Sequence, residues 1–496
     1  MNLKVLGLLA VGCGVLSGLF AGGMLQALGL PVFLCGIFLL VYGLAGGKLE
    51  KLAGSMGVRA AAVAFALLLV FFAGCYRLGG KSMWADEVIV YFDSQEGARF
   101  MLRSLSPLHL GLIRIASFAG TDEVAMRFPS VVFGVVAALF TYKLAVMLYG
   151  WREGLLSLLM LATSSLYLHY MQEARLYMLM VMLSMASLYF LYRALHDGRN
   201  IFWLGFAVSN VLNFYTSYAA AAVLLPELAY AILFYRKNRD VLAKCMAGTA
   251  AIAVLSLPGV YYALKFMKNR VAASMQETVV SILTPETLVS SFGGSYLYEG
   301  VSYAPILTFL LLALFFYGLV KSNARERGLL ALYTILPVVS GFFLTSTINM
   351  QPRYLLFVFP VYIIAVSKGL LSLSSGDARI MAVAGILILG ALNTIAYYDV
   401  EKIDWRSTAS YLKSNMQPED KAVAIPGFVE DTLRYYGMDP KTVIALDDWA
   451  KRPVGRQWFV YNAHTRDPDG GIRRQLDENC ALKARYAEIS IYLCEK

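Results

Sequence analysis

Residues 60–76 read "AAAVAFALLLVFFAGCY" without a single charge, and residues 81–90 follow with "KSMWADEVIV". A charge-free run of this length suits a helix crossing ~30 Å of hydrocarbon. Asp86 and Glu87 stand about ten residues beyond it. Carboxylates are costly inside a bilayer, so the pair belongs at its surface, either solvated or with a chemical task. Trp84 beside them has the character of an interfacial anchor.

The same pattern extends along the chain. Of 496 residues, 58% are hydrophobic and 15% charged, against roughly 45–50% and about 25% for a soluble domain. About thirteen spans are expected, near 4–23, 28–46, 60–77, 129–149, 154–170, 176–193, 201–217, 219–235, 247–266, 303–320, 328–347, 355–372 and 380–397. The net charge of +10 sits in short gaps between them: "KLEK", "YGWREG", "HDGRN", "YRKNRD", "KSNARER" and "SSGDAR". With the N-terminus inside, all six gaps fall on the cytoplasmic side, as the positive-inside rule requires. The charge therefore describes topology rather than a nucleic-acid site. "WADE", "MQEARLY", "NMQPRY" and the C-terminal tail fall outside.

The expected fold class is an all-α polytopic membrane domain with a small C-terminal α/β domain. Residues 1–59 hold two extra N-terminal spans, 60–398 the main transmembrane domain and 399–496 the soluble outer domain. Amphipathic outer helices are expected within 78–127, and a second long outer loop at 267–302. In the tail, "DWRSTASYLKSN" reads as a helix capped by Asp404. "KAVAIPG", "KTVIALD" and "RQWFVYNA" read as strands, and "GIRRQLDENC" as a second helix. Cys480 and Cys494 lie in this tail, where an oxidising compartment allows either a disulfide or two free thiols.

Three outer stretches bring chemistry-bearing residues together. Asp86 is placed to act as a general base, with Glu87 holding it in place or opposing its charge. "LHYMQEARLYMLM" crowds His169, Glu173, Arg175 and Tyr177 where two spans meet; Arg175 either pairs with Glu173 or clamps a phosphate with its planar fork of donors. In "NMQPRYLLFVFP", Arg353 and Tyr354 open a span and either snorkel to the surface or supply a second phosphate or sugar contact. His109 in "SPLHLGLIRI" and Arg127 in "AMRFPS" are weaker binding candidates. Glu227 falls mid-span, where hydrogen bonding to a neighbour such as Asn213 would shelter it. The chain carries no P-loop, no HExxH and no GxSxG, and no dedicated metal-ligand set, so neither metal nor soluble nucleotide is expected.

The acidic pair after a span, "SPLHLGLIRI", "AMRFPS", "QEARLYMLMVMLSMASLYFLYRAL" and "QPRYLLFVFP", in that order, resemble the GT-C superfamily of integral-membrane glycosyltransferases. Protein O-mannosyltransferases and the bacterial lipid A aminoarabinose transferases are the members most similar. The resemblance covers roughly residues 60–370. It implies an inverting transfer from a polyprenyl-phosphate sugar to a lipid, glycan or protein acceptor, on the outer face of the plasma membrane. It places Asp86 on the catalytic acid with Glu87 beside it. Arg175 and Glu173 fall on the donor-phosphate motif, and Arg353 and Tyr354 on the late outer motif near the lipid phosphate. The spans before residue 60 lie outside the common core, and "SPLH" replaces a double proline. The alternative is a multi-span transporter or lipid flippase, which would place inverted repeats and broken helices at mid-membrane; the halves show no symmetry, and only Glu227 fits a midplane site.

Overall fold

The computed structural model describes residues 56–274, 304–344, 351–400, 403–446, 456–462, 467 and 470–495. The two expected spans before residue 56 lie outside these residues. So does most of the 267–302 loop, into which a long helix runs as far as Ser274.

Helix α1 (Met56–Cys75) is followed by three short helices, α2 (Ala85–Gln95), α3 (Ala98–Arg103) and α4 (Pro107–Ala116). Then come α5 (Glu123–Leu148), α6 (Trp151–Ala162), α7 (Ser165–Met171), α8 (Tyr177–Asp197), α9 (Asn200–Thr216), α10 (Ala221–Tyr235) and α11 (Arg239–Ser274). After the gap follow α12 (Ala304–Lys321), α13 (Ala324–Leu344), a 3-10 turn (Pro352–Val358), α14 (Phe359–Leu371) and α15 (Gly376–Asp399). Within the described residues, the apolar runs expected from residue 60 onward fall mainly on helix. Among the described residues, seven helical segments are long and apolar enough to cross a membrane, or eight if the bent pair α6–α7 counts as one.

Local chemistry sets the ends of these helices. Asp122 caps α5 by accepting from the Ala125 amide at 2.8 Å. Gly198 closes α8 at φ +65°, a left-handed conformation that glycine adopts without steric cost. Between α6 and α7 the axis bends by 66°. The break exposes backbone that must be satisfied inside hydrocarbon. Here α15 supplies the partners: Thr394 Oγ1 donates to the Thr163 carbonyl at 3.1 Å, and Asn393 Nδ2 to Ser165 Oγ at 3.0 Å. One apolar core joins α1, α5, α6, α8 and α14, with Leu144, Leu158, Met178 and Val361 fully enclosed.

The C-terminal unit comprises α16 (Trp405–Asn415), β1 (Lys421–Ile425), α17 (Glu430–Tyr435), β2 (Val443–Ala445), β3 (Gln457–Asn462), α18 (Gly471–Asn479), β4 (Ala481–Tyr486) and β5 (Ile489–Cys494). Strand order is β2-β1-β3-β5-β4. The first three strands pair in parallel, and β5 pairs antiparallel with both β3 and β4. Every residue of β3 is buried, as suits a central strand covered on both faces. Asp404 caps α16, accepting from the Ser407 amide at 3.0 Å, as its position ahead of "WRSTASYL" implies. The β4–β5 hairpin escaped the sequence reading. Its ends are joined by a Cys480–Cys494 disulfide, with Cα atoms 4.5 Å apart. Closing a loop of this length adds on the order of 3 kcal/mol.

Candidate functional site

Helix α2 turns two faces to two environments. Glu87, Val88, Val90 and Ser94 are buried, while Asp86 remains partly open, its side chain 31% exposed. Consecutive residues on a helix point about 100° apart, so adjacent carboxylates there do not share a ligand. That geometry separates the two acids completely.

Glu87 is enclosed, and its carboxylate meets Arg127 of α5 along two bonds, Nε to Oε1 at 2.8 Å and Nη2 to Oε2 at 2.7 Å. Its remaining lone pairs accept from the Ala174 amide at 2.8 Å and the Trp84 amide at 3.3 Å. Arg127 spends its other donors on the carbonyls of Leu78, Lys81 and Ser82. Glu87 was expected to hold Asp86 in place or to oppose its charge, and Arg127 to be a binding candidate; in the structure they are saturated by one another and by backbone, and together they pin the turn before α2 to α5.

The loop between α7 and α8 is the hub of the site. Gln172 donates to the carbonyls of Gly74 and Tyr76 at the end of α1, and accepts from the Tyr397 hydroxyl. Glu173 is buried and lies 3.1 Å from His169 Nε2, while its carbonyl accepts from Ser130. Glu173, expected either to pair with Arg175 or to belong to the donor-phosphate motif, has its side chain turned into the protein beside His169. Arg175 emerges on the opposite side. Its Nη2 lies 3.1 Å from Asp86 Oδ2, and its Nη1 donates to the Asp86 carbonyl at 2.9 Å.

Arg353 arrives from a segment nearly 180 residues downstream, and its Nη1 stands 3.7 Å from the same Asp86 oxygen. Its guanidinium carbon lies 5.9 Å from the Trp84 ring centre, 5.7 Å from Tyr177 and 5.9 Å from Tyr354. Aromatic faces attract a cation at this range and hold its plane in place. The structure therefore brings Asp86, Arg175, Tyr177, Arg353 and Tyr354 into one cluster. The Nε atoms of both arginines are buried without a hydrogen-bond partner, so each guanidinium retains donor capacity. Sequence reading missed Trp84 as a wall of this cluster, because an aromatic residue beside a span already has a sufficient explanation as an anchor.

His109 on α4 is buried behind the cluster. Burial, reinforced by the positive charge of Arg175, pushes its pKa down to about 3, so the ring is neutral at ordinary pH. It backs the site rather than presenting a charge to it.

The C-terminal unit docks onto the same turn. The Tyr436 hydroxyl accepts from the Met83 amide at 2.6 Å and donates to Glu123 Oε1 at 2.7 Å. Arg406 Nη2 reaches that Glu123 oxygen at 2.5 Å. Ser82 donates to the Ile403 carbonyl and accepts from the Trp405 amide. Nothing local in the sequence announces these contacts, which join residues more than 280 positions apart.

Glu227 is buried inside the helical unit, but its partners are Ser187 at 2.6 Å and Asn210 at 3.2 Å. Asn213, the expected neighbour, instead donates to Ser184. Among the described residues no group of three or more His, Cys, Asp or Glu side chains is arranged to hold a metal ion.

Residues 106–262 match the family model of dolichyl-phosphate-mannose-protein mannosyltransferases. An uncharacterized protein of Aquifex aeolicus (strain VF5) is 27% identical over 223 residues, 41% of this chain and 43% of that protein. The match thus spans less than half of that relative. Among solved structures, ArnT from Cupriavidus metallidurans in the apo state aligns with a TM-score of 0.60 at 14% identity, covering 88% of this chain and 98% of ArnT. The same ArnT bound to undecaprenyl phosphate gives 0.56 at 15% identity, covering 89% and 98%. The oligosaccharyltransferase of Archaeoglobus fulgidus gives 0.50 at 9% identity, over 78% and 64%. At such identities these likenesses establish the fold. Together with the family-model match, they bear out the resemblance to GT-C membrane glycosyltransferases.

Proposed function

We propose that this chain moves a sugar from a polyprenyl-phosphate donor to a lipid, glycan or protein acceptor at the outer face of the plasma membrane, with inversion at the anomeric carbon. One observation carries the reading: Asp86 Oδ2 lies against two guanidiniums, Arg175 at 3.1 Å and Arg353 at 3.7 Å. A base and a pair of anion-binding forks within one cluster match the two ends of such a transfer. The undecaprenyl phosphate held by the structurally similar ArnT is in keeping with a lipid-phosphate donor. The basic gaps between the apolar runs support a cytoplasmic N-terminus and about thirteen spans, with the C-terminal unit outside.

Both arginines lean on Asp86. A donor phosphate offers them a stronger, bidentate partner. As they turn to it, the Asp86 carboxylate regains free lone pairs and accepts the proton of the acceptor hydroxyl or amine. The acceptor atom bonds to the anomeric carbon from the face opposite the phosphate. The carbon–oxygen bond to phosphate breaks, and the polyprenyl phosphate leaves with the electron pair, its growing charge met by Arg175 and Arg353. General-base help of this kind supplies about 10²–10⁴-fold. The scheme needs no metal, the arginines taking the leaving-group charge; a chelator-insensitive rate is the corresponding expectation.

The test compares purified wild type with Asp86→Asn, each given polyprenyl-phosphate sugars and an envelope extract, with mass spectrometry following sugar from lipid to acceptor. Turnover by wild type alone, with Asp86→Asn still binding the lipid phosphate, supports the scheme. Equal transfer by a folded Asp86→Asn removes Asp86 from the chemistry. Absence of donor consumption by both proteins rejects the donor class.

A further inference from the structure

The indole of Trp84 has a hydrogen-bond donor with nothing to donate to. Its Nε1 is buried and has no partner. Buried Trp N–H groups normally find an acceptor, because leaving one unmade costs most of the desolvation of that group. The ring is not adrift. The Trp84 amide is held by Glu87 Oε2 at 3.3 Å, its carbonyl accepts from the Glu87 and Val88 amides, and the preceding Met83 amide is tied to Tyr436. Its backbone is thus fixed from the membrane side and from the C-terminal unit.

The neighbourhood indicates the kind of guest that is missing. The indole centre lies 5.9 Å from the Arg353 guanidinium carbon, and Arg353 reaches toward Asp86. Arg353 Nε and Arg175 Nε are buried and unpartnered as well. All three unfilled groups are N–H donors. A guest satisfying them is rich in acceptor oxygens and, facing two guanidiniums, anionic.

Resting on the glycosyl-transfer reading above, we propose that Trp84 is a third donor to the substrate phosphate, its indole N–H bonding an oxygen that the two arginines hold by charge. A neutral donor adds a further direction to those set by the two guanidinium forks. The consequence is selectivity for the phosphate head over other anions that satisfy charge alone.

The experiment uses the full chain in nanodiscs, titrated with undecaprenyl phosphate and, as an uncharged control, undecaprenol. Trp84→Phe keeps an aromatic face for Arg353 and deletes the N–H. The expected result is about tenfold weaker binding of undecaprenyl phosphate, roughly 1.4 kcal/mol, with undecaprenol binding unchanged. Benzothienylalanine placed at position 84 keeps the bicyclic shape without the N–H and gives the same loss, which separates hydrogen bonding from packing should Trp84→Phe fold poorly. Wild-type affinity in the benzothienylalanine protein overturns the role of Trp84 and leaves the transfer reading intact. A wild-type protein that does not prefer undecaprenyl phosphate to undecaprenol overturns both.

Discussion

Glu87 and Arg127 face each other through two parallel hydrogen bonds of 2.8 and 2.7 Å, with side chains 0% and 2% exposed. Forty residues apart in sequence, they fix the turn that presents Asp86. Truncating one partner of such a pair leaves an uncompensated buried charge and costs about 3–5 kcal/mol. Glu87→Gln and Arg127→Gln are therefore expected to lower the unfolding midpoint steeply, whereas Asp86→Asn keeps stability and loses transfer. Thermal unfolding alongside turnover separates the two acids. A Glu87→Gln protein as stable as wild type would show that the pair is not the clamp described.

The helices after residue 60 were readable because hydrocarbon forces each crossing segment to be apolar and internally hydrogen-bonded. Asp86, Arg175 and Arg353 were readable as candidates because charge beside a span needs a reason. Whether Glu87 holds Asp86 in place or opposes its charge was left open, although the signal was present. With α2 taken as a helix, Glu87, Val90, Tyr91 and Ser94 fall on one face and Asp86 and Asp93 on another. The inward placement of Arg127 and Glu173 was not legible for a different reason: a charged side chain near a helix end looks the same in sequence whether it points to substrate or into the protein. The β4–β5 hairpin was missed although Leu482, Ala484 and Tyr486 alternate with Lys483 and Arg485; β4 is largely exposed, so the pattern marks no buried face.

His109 gives a pH signature. Its folded-state pKa of about 3 lies below the usual ~6.5 of an unfolded chain, so the unfolded state takes up the proton first as pH falls. The stability contributed by neutral His109 is complete above about pH 6.5 and is lost progressively toward pH 3, at up to roughly 1.4 kcal/mol per unit. His109→Gln is expected to flatten this part of the curve. Denaturation of wild type and variant from pH 7 to 4 checks it; parallel curves would mean that His109 titrates normally.

Gly318 of α12 and Gly369 of α14 mark a backbone crossing. A methyl group at either glycine would strike a carbonyl of the facing helix, Ala365 or Leu314 respectively. Small residues let helices approach this closely in a bilayer. Gly318→Ala and Gly369→Ala are each expected to cost about 1–3 kcal/mol by overpacking. Gly385→Ala on α15, where an added methyl group meets nothing within 4 Å, should leave stability unchanged. Unfolding midpoints in detergent decide the matter, and equal midpoints for all three variants would contradict the crossing.

Tyr436 links the C-terminal unit to the acidic turn. Its hydroxyl bridges the Met83 amide and Glu123 Oε1 at 2.6 and 2.7 Å, while Glu123 keeps Arg406 as an independent partner. Tyr436→Phe therefore orphans the Met83 amide without freeing the carboxylate. Leaving such a donor unmade costs about 1–3 kcal/mol, and the cost falls on the segment that sets Trp84 and Asp86. Hydrogen exchange at residues 83–87 is expected to accelerate at least about tenfold, the equivalent of ~1.4 kcal/mol, with transfer slowed in the same variant. Tyr411→Phe, which removes only a 3.4 Å bond to the Lys483 carbonyl within the C-terminal unit, should change neither. If exchange at 83–87 stays at the wild-type rate in Tyr436→Phe, the turn is held from the membrane side alone, and Arg127 with its three carbonyl bonds carries the positioning unaided.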